Sequence, residues 1–174
     1  PDIMTIGKGF TGGYIPLGAT VMTTKVAEQF REPGHELRSG STYGGHTVAC
    51  AATLENLAII EREHLVENAA QLGQYVSAEL GKLRRYPIVG EATGIGLLWA
   101  VRLTVDAGLR VGNWIRDWCW DHGMILRNNG DILVLAPALI ITREQVDEII
   151  GLMAQAIEAA IEHFKLDGKA LAGG

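Results

Sequence analysis

One lysine lies between two glycines, Gly7-Lys8-Gly9, directly after the apolar run Ile3 to Ile6. That places it at the end of an expected strand, with little side-chain bulk around it. Burial disfavours an ammonium, and the neutral amine that results attacks an aldehyde to form a Schiff base. On position alone the same residue also reads as a solvated loop lysine. Gly7 to Gly12 satisfies the dinucleotide pattern G-x-G-x-x-G, but that pattern needs a helix straight after it to hold a pyrophosphate. Here Gly13, Pro16 and a β-like run follow, so the nucleotide reading fails. A Walker-type phosphate loop fails too, because Gly9 follows Lys8 where Ser or Thr is required.

Two more glycine clusters stand out. Gly40, Gly44 and Gly45 surround Ser41-Thr42-Tyr43, and Gly90, Gly94 and Gly96 open an apolar run. Clustered glycine marks backbone at positive φ or pressed close to a ligand. Arg127 precedes a turn, and on position alone it suits a surface cation at a hairpin edge. His46 reads as a packed or structural histidine, and none of the five histidines has metal-ligand spacing. Trp99, Trp114, Trp118 and Trp120 read as core or interface residues, and Cys50 and Cys119 as buried, inert thiols.

The elements that must position these residues follow from periodicity. Leu17 to Thr23 is β-like, and Val26 to Arg31 is a short helical piece stopped by Pro33-Gly34. Residues 48–62 and 65–83 carry apolar residues at helical spacing, the second set ending before Pro87. Ile95 to Leu103 reads as a strand, then Gly112 to His122 as a Trp-rich helix. Met124 to Arg127 and Ile132 to Leu135 read as strands across the turn Asn128-Asn129-Gly130-Asp131. Thr142 and Gln145 form a capping box that opens a helix to about Phe164. Residues 1–50 hold too few strands for a sheet of their own and read as the edge of a larger layer, and residues 168–174 as a frayed tail.

Composition sets the class. Apolar residues make up 48% of the 174, and Lys plus Arg total 15 against 20 Asp plus Glu, a net charge of −5. An acidic balance offers nucleic acid or anionic lipid no global attraction. No apolar run approaches the roughly 18 residues a membrane helix needs. Two cysteines form no disulfide framework and fit the cytoplasm. No nucleic-acid or membrane partner is expected.

A resemblance organises these features. Pro1 to Gly9, followed by Gly12-Gly13-Tyr14-Ile15-Pro16-Leu17-Gly18-Ala19, resembles the lysine segment of class III pyridoxal-phosphate aminotransferases. Gly40 to His46 is similar to the family's Thr-Tyr-x-Gly-His segment, and Gly90 to Leu103 to its glycine-rich strand entering the small domain. Gly123 to Arg127, Gly130-Asp131, Ala136-Pro137, Ile140-Ile141-Thr142 and Val146-Asp147-Glu148 follow its C-terminal signature. Four motifs in register span nearly the whole chain.

The resemblance implies an α/β fold of the aspartate-aminotransferase kind (fold type I). Residues 1–82 would be the C-terminal part of the large cofactor domain with linking helices, and residues 83–174 the small α+β domain. It implies pyridoxal 5'-phosphate as cofactor, Lys8 as Schiff-base lysine and proton carrier, and Ser41 and Thr42 at the cofactor phosphate, Thr42 typically from the neighbouring subunit. Arg127 matches the substrate-carboxylate arginine of the ω-amino acid:pyruvate branch; Val134 stands where ornithine-like branches carry another arginine. The implied reaction moves an amino group between an amine or ω-amino acid and a 2-oxo acid. A racemase or aminomutase, or a noncatalytic assembly module, is the alternative. Partners would be the small-molecule substrates and either a second copy of the full-length enzyme, as a homodimer, or a complementing N-terminal half. The family's aspartate at the pyridinium nitrogen, its ring-stacking aromatic and its phosphate loop have no match here, so these residues alone are expected not to transaminate.

Overall fold

In the computed structural model the two apolar runs near the start pair with one another. Strands β1 (Ile3–Ile6) and β2 (Ala19–Met22) form an antiparallel ribbon with Ile3 opposite Met22 and Ile6 opposite Ala19. Isoleucine, threonine and valine favour this extended pairing, and the Thr23 amide continues it with a 3.0 Å bond to the Asp2 carbonyl. The expectation that these residues form no sheet of their own is thereby corrected. The structure describes residues 1–166, so the tail 168–174 lies outside the described residues.

The chain divides into two compact units, Pro1–His64 and a second beginning at Leu65. In the first, β2 leads to α1 (Thr24–Glu28), and a loop through Gly34 leads to α2 (Thr47–Arg62). The α2 N-terminus is capped by His46, whose Nδ1 accepts from the Ala49 amide at 3.4 Å. This is the structural role expected of that histidine, satisfying a donor the helix itself cannot. The buried residues of this unit are Thr11, Ala49 and Thr53. Cys50, expected buried, is half-exposed.

The second unit has a real core. Its elements are α3 (Leu65–Lys82), β3 (Val89–Ile95), β4 (Leu98–Leu103), α4 (Val111–Asp121), β5 (Arg127–Asn129), β6 (Ile132–Leu135) and α5 (Arg143–Phe164). The strands make one antiparallel sheet in the order β3-β4-β6-β5. Trp99, Val101 and Leu103 alternate inward along β4, joined by Leu133 and Leu135 of β6, as the two-residue strand period requires. Val76 and Leu80 of α3, Ile115 and Cys119 of α4, and Val146, Ile150, Met153 and Ile157 of α5 bury against the same cluster. Each fully buried Ile or Leu contributes about 1.5–3 kcal/mol. The capping box forms as expected: the Thr142 hydroxyl accepts from the Gln145 amide at 3.3 Å, and Gln145 Oε1 accepts from the Thr142 amide at 3.0 Å.

Three expectations need correction here. The single strand read from Ile95 is a hairpin, β3 then β4, turning at Gly96-Leu97 with Gly96 at φ +54°. The strand read over Met124–Arg127 begins at Arg127 instead. Met124 and Leu126 are buried in the connection out of α4, and the Met124 amide donates 2.8 Å to the Cys119 carbonyl. Asn128 and Asn129, read as turn residues, pair with Leu133 and Ile132. Of the tryptophans read as core or interface residues, Trp99 is buried and donates its indole N–H to the Gly96 carbonyl at 2.7 Å, and Trp120 is 66% exposed. The helix α3 packs with the second unit, whose compact core begins at Leu65.

Candidate functional site

Lys8 opens a single turn of 3-10 helix, Lys8–Thr11, in the connection between β1 and β2. Its backbone is left-handed, with φ +53°. A non-glycine residue there stores on the order of 1–2 kcal/mol of strain and persists only where its surroundings impose it. The imposing contacts are identifiable. The Phe10 amide donates to the Gly7 carbonyl at 3.2 Å, and the Gly12 amide to the Gly9 carbonyl at 3.1 Å. Thr11 is buried, and its hydroxyl donates to the Ile15 carbonyl at 2.6 Å, fastening the two limbs of the loop. From α2, the Asn56 side-chain amide donates to the carbonyls of Gly9 at 2.9 Å and Phe10 at 3.2 Å. The lysine itself is exposed and lines an open cleft with Gly13, Ile15, Pro16, Leu17 and Gly18. A fixed backbone thus carries a free primary amine.

Ser41 and Thr42 occupy a separate turn that runs into the start of α2. The Gly44 amide closes it on the Ser41 carbonyl at 3.0 Å, and the His46 amide on the Tyr43 carbonyl at 3.2 Å. Gly45 takes φ +69°. Both hydroxyl residues are exposed, and hydroxyl and turn N–H donors of this kind suit an anion. The helix α2 therefore supports both loops, one through His46 at its end and one through Asn56 along its side.

Arg127 belongs to the second unit. It is exposed, heads β5 and faces Val134 across the pair. Its hairpin is anchored to α4: the Gly112 amide donates to Asp131 Oδ1 at 2.8 Å, and Asn128 Nδ2 to Asn113 Oδ1 at 2.7 Å.

Asn56 is the functional candidate that sequence reading missed. It lies 47 positions from Gly9, and a polar residue among apolar helical ones signals only a solvent-facing side. The donor set suits pyridoxal 5'-phosphate in its chemistry: one amine on a rigid turn for the aldehyde, and two hydroxyls on a glycine-flanked turn for the phosphate. Among the described residues, no cluster of His, Cys, Asp or Glu could hold a metal ion, and no helix is long and apolar enough to cross a membrane.

The first unit carries an amine-bearing turn and a hydroxyl turn, and the second a helix-backed antiparallel sheet. The class-III aminotransferase family matches residues 1–157, and the chain belongs to that family. It is 36% identical over 166 residues to a putrescine–pyruvate aminotransferase of Pseudomonas aeruginosa, covering 91% of this chain and 36% of that protein. An (S)-enantioselective ω-transaminase from Thermomicrobium roseum superposes with a TM-score of 0.88 at 36% identity, covering 92% of this chain and 38% of the other. A transaminase from the marine bacterium Virgibacillus gives 0.89 at 35% identity, covering 94% and 40%. The fold is that of a fold-type-I transferase. The chain spans about two fifths of the length of these relatives.

Proposed function

We propose that this chain is part of a pyridoxal 5'-phosphate-dependent aminotransferase, cytoplasmic, that moves an amino group between an amine or ω-amino acid and a 2-oxo acid. The observation that carries this reading is the Lys8 turn: in a chain of this family, an amine stands free on a left-handed backbone position locked by Thr11 and Asn56. When bound, the cofactor supplies an aldehyde carbon and a pyridine ring that spreads the charge left at a substrate Cα. Lys8 Nζ would hold that carbon, and its free amine would carry the proton from the substrate Cα to the carbon that had been the aldehyde. Ser41 and Thr42 donate to the phosphate. Arg127 binds a substrate carboxylate. Residues 1–82 are read as part of the large cofactor domain and residues 83–174 as the small domain. The working assembly is read as a homodimer of the full-length enzyme or as this chain with a complementing N-terminal half.

The test is Lys8→Ala in the full-length, cofactor-loaded enzyme. The visible absorbance of lysine-held cofactor disappears, and turnover falls by about 10²–10⁴-fold, the contribution typical of a positioned acid–base group. Absorbance retained unchanged would sink the lysine assignment.

A further inference from the structure

Asn56 makes the contacts that tie α2 to the backbone just after Lys8. Its amide nitrogen spans two successive carbonyls, Gly9 at 2.9 Å and Phe10 at 3.2 Å. Its oxygen faces Gly12, where a Cβ would stand 2.9 Å away, and Gly12 is itself left-handed at φ +63°. The side chain therefore fills the concave side of the turn, holding two carbonyls by donation and requiring the absence of a Cβ opposite. On the other side of the turn, Thr11 fastens only to the loop's own backbone. Without Asn56, nothing described from α2 donates to the Gly9 and Phe10 carbonyls, and only the loop's own bonds resist relaxation of the strained Lys8, with φ +53°. Relaxing that single φ swings the lysine side chain, because the Cα–Cβ direction turns with the backbone.

We infer that Asn56 is a positioning residue: by clamping the Gly9 and Phe10 carbonyls to α2, it sets the direction from which the Lys8 amine meets the pyridoxal-phosphate aldehyde. The inference rests on the reading of Lys8 given above. Asparagine suits the task because it donates without charge; a carboxylate of the same shape would offer no donor and would repel both carbonyls.

The experiment compares Asn56→Asp and Asn56→Ala with the wild-type holoenzyme, and with Glu55→Ala, which alters an exposed neighbour on α2. Borohydride trapping of pyridoxal 5'-phosphate on Lys8 is followed by the mass of the Lys8 peptide. Deuterium exchange over residues 7–14 and the thermal midpoint are measured alongside. Trapping and kcat fall about tenfold or more in both Asn56 variants, the cost of an ångström-scale misplacement. The Asp variant is the worse of the two, residues 7–14 exchange faster, KM changes less than about twofold, and the midpoint drops by only about 2–4 °C. Wild-type trapping rates in both variants overturn the inference, as does lost trapping that merely accompanies general unfolding. A wild-type protein whose Lys8 is never trapped overturns the cofactor reading, and this inference falls with it; a trapped wild type with unaffected variants overturns this inference alone.

Discussion

The backbone amide of Gly112 donates a 2.8 Å hydrogen bond to the carboxylate of Asp131. It joins the first turn of α4 to the tip of the hairpin that begins at Arg127. The approach is close because Gly112 lacks a side chain: a Cβ there would overlap the Gly130 carbonyl. Gly112→Ala should therefore cost about 2 kcal/mol of stability through overpacking. Asp131→Ala should cost on the order of 1.5–3 kcal/mol, as expected for a hydrogen bond to a charged acceptor. Urea unfolding of each variant checks both values; losses under about 0.5 kcal/mol, ordinary for a surface change, would show that the hairpin does not lean on α4.

Arg127 should discriminate between substrates by charge. Arg127→Gln leaves the uncharged edge strand in place but removes the two-pronged cation. The specificity constant for a carboxylate-bearing donor or a 2-oxo acid should fall about 10–100-fold, the equivalent of one charge-assisted pair. A simple amine lacking a carboxylate should be little affected. Equal losses for both donors would mean that the arginine does not bind the carboxylate.

Cys119 is fully buried, and burial pushes its thiol up to about 11 from an ordinary 9.0. The protonated form is thus favoured in the folded state. Above pH 9 the unfolded chain releases this proton while the folded chain keeps it, so the thiol's contribution to stability is intact below pH 9. It should then be lost at up to about 1.4 kcal/mol per pH unit between pH 9 and 11. Cys119→Ser, at constant ionic strength, should flatten that decline. Iodoacetamide at pH 8 should label Cys50, which is half-exposed, well before Cys119.

Thr142→Ala removes the hydroxyl that accepts from the Gln145 amide. The loss should be about 1 kcal/mol, typical of an N-cap. Thr142→Asp should recover most of it, since a carboxylate also caps. Thermal melting of the two variants side by side makes the comparison.

How much of this was legible in the sequence depended on how local each signal was. The capping box, the helix behind it and the pairing of Ile132 to Leu135 with the strand before the Gly130 turn rest on neighbours a few residues apart, and they were readable. The strand β3 was hidden by its glycines. Gly90 lies at the bulge where the register slips between Val89 and Glu91, and Gly94 lies against the Trp99 ring, where no Cβ fits. Glycine weakens a strand signal at just the places where sheet packing demands it. Met124 and Leu126 misled in the opposite way, since buried residues of a connection alternate as strand residues do. At the candidate site, Lys8, Ser41, Thr42 and Arg127 are candidates from motif register, and their roles are proposals. Asn56 reaches Gly9 across 47 positions, and a contact at that range leaves no periodic trace.

The thin interior of the first unit has a consequence for the lysine it carries. Thr11, Ala49 and Thr53 are its buried residues, while Ile3, Met4, Val21 and Leu54 face solvent. So little enclosed apolar area cannot repay the entropy of ordering some sixty residues. Any protein surface that covers Ile3, Met4, Val21 and Leu54 adds the enclosed area this unit lacks, and so tightens the order around Lys8.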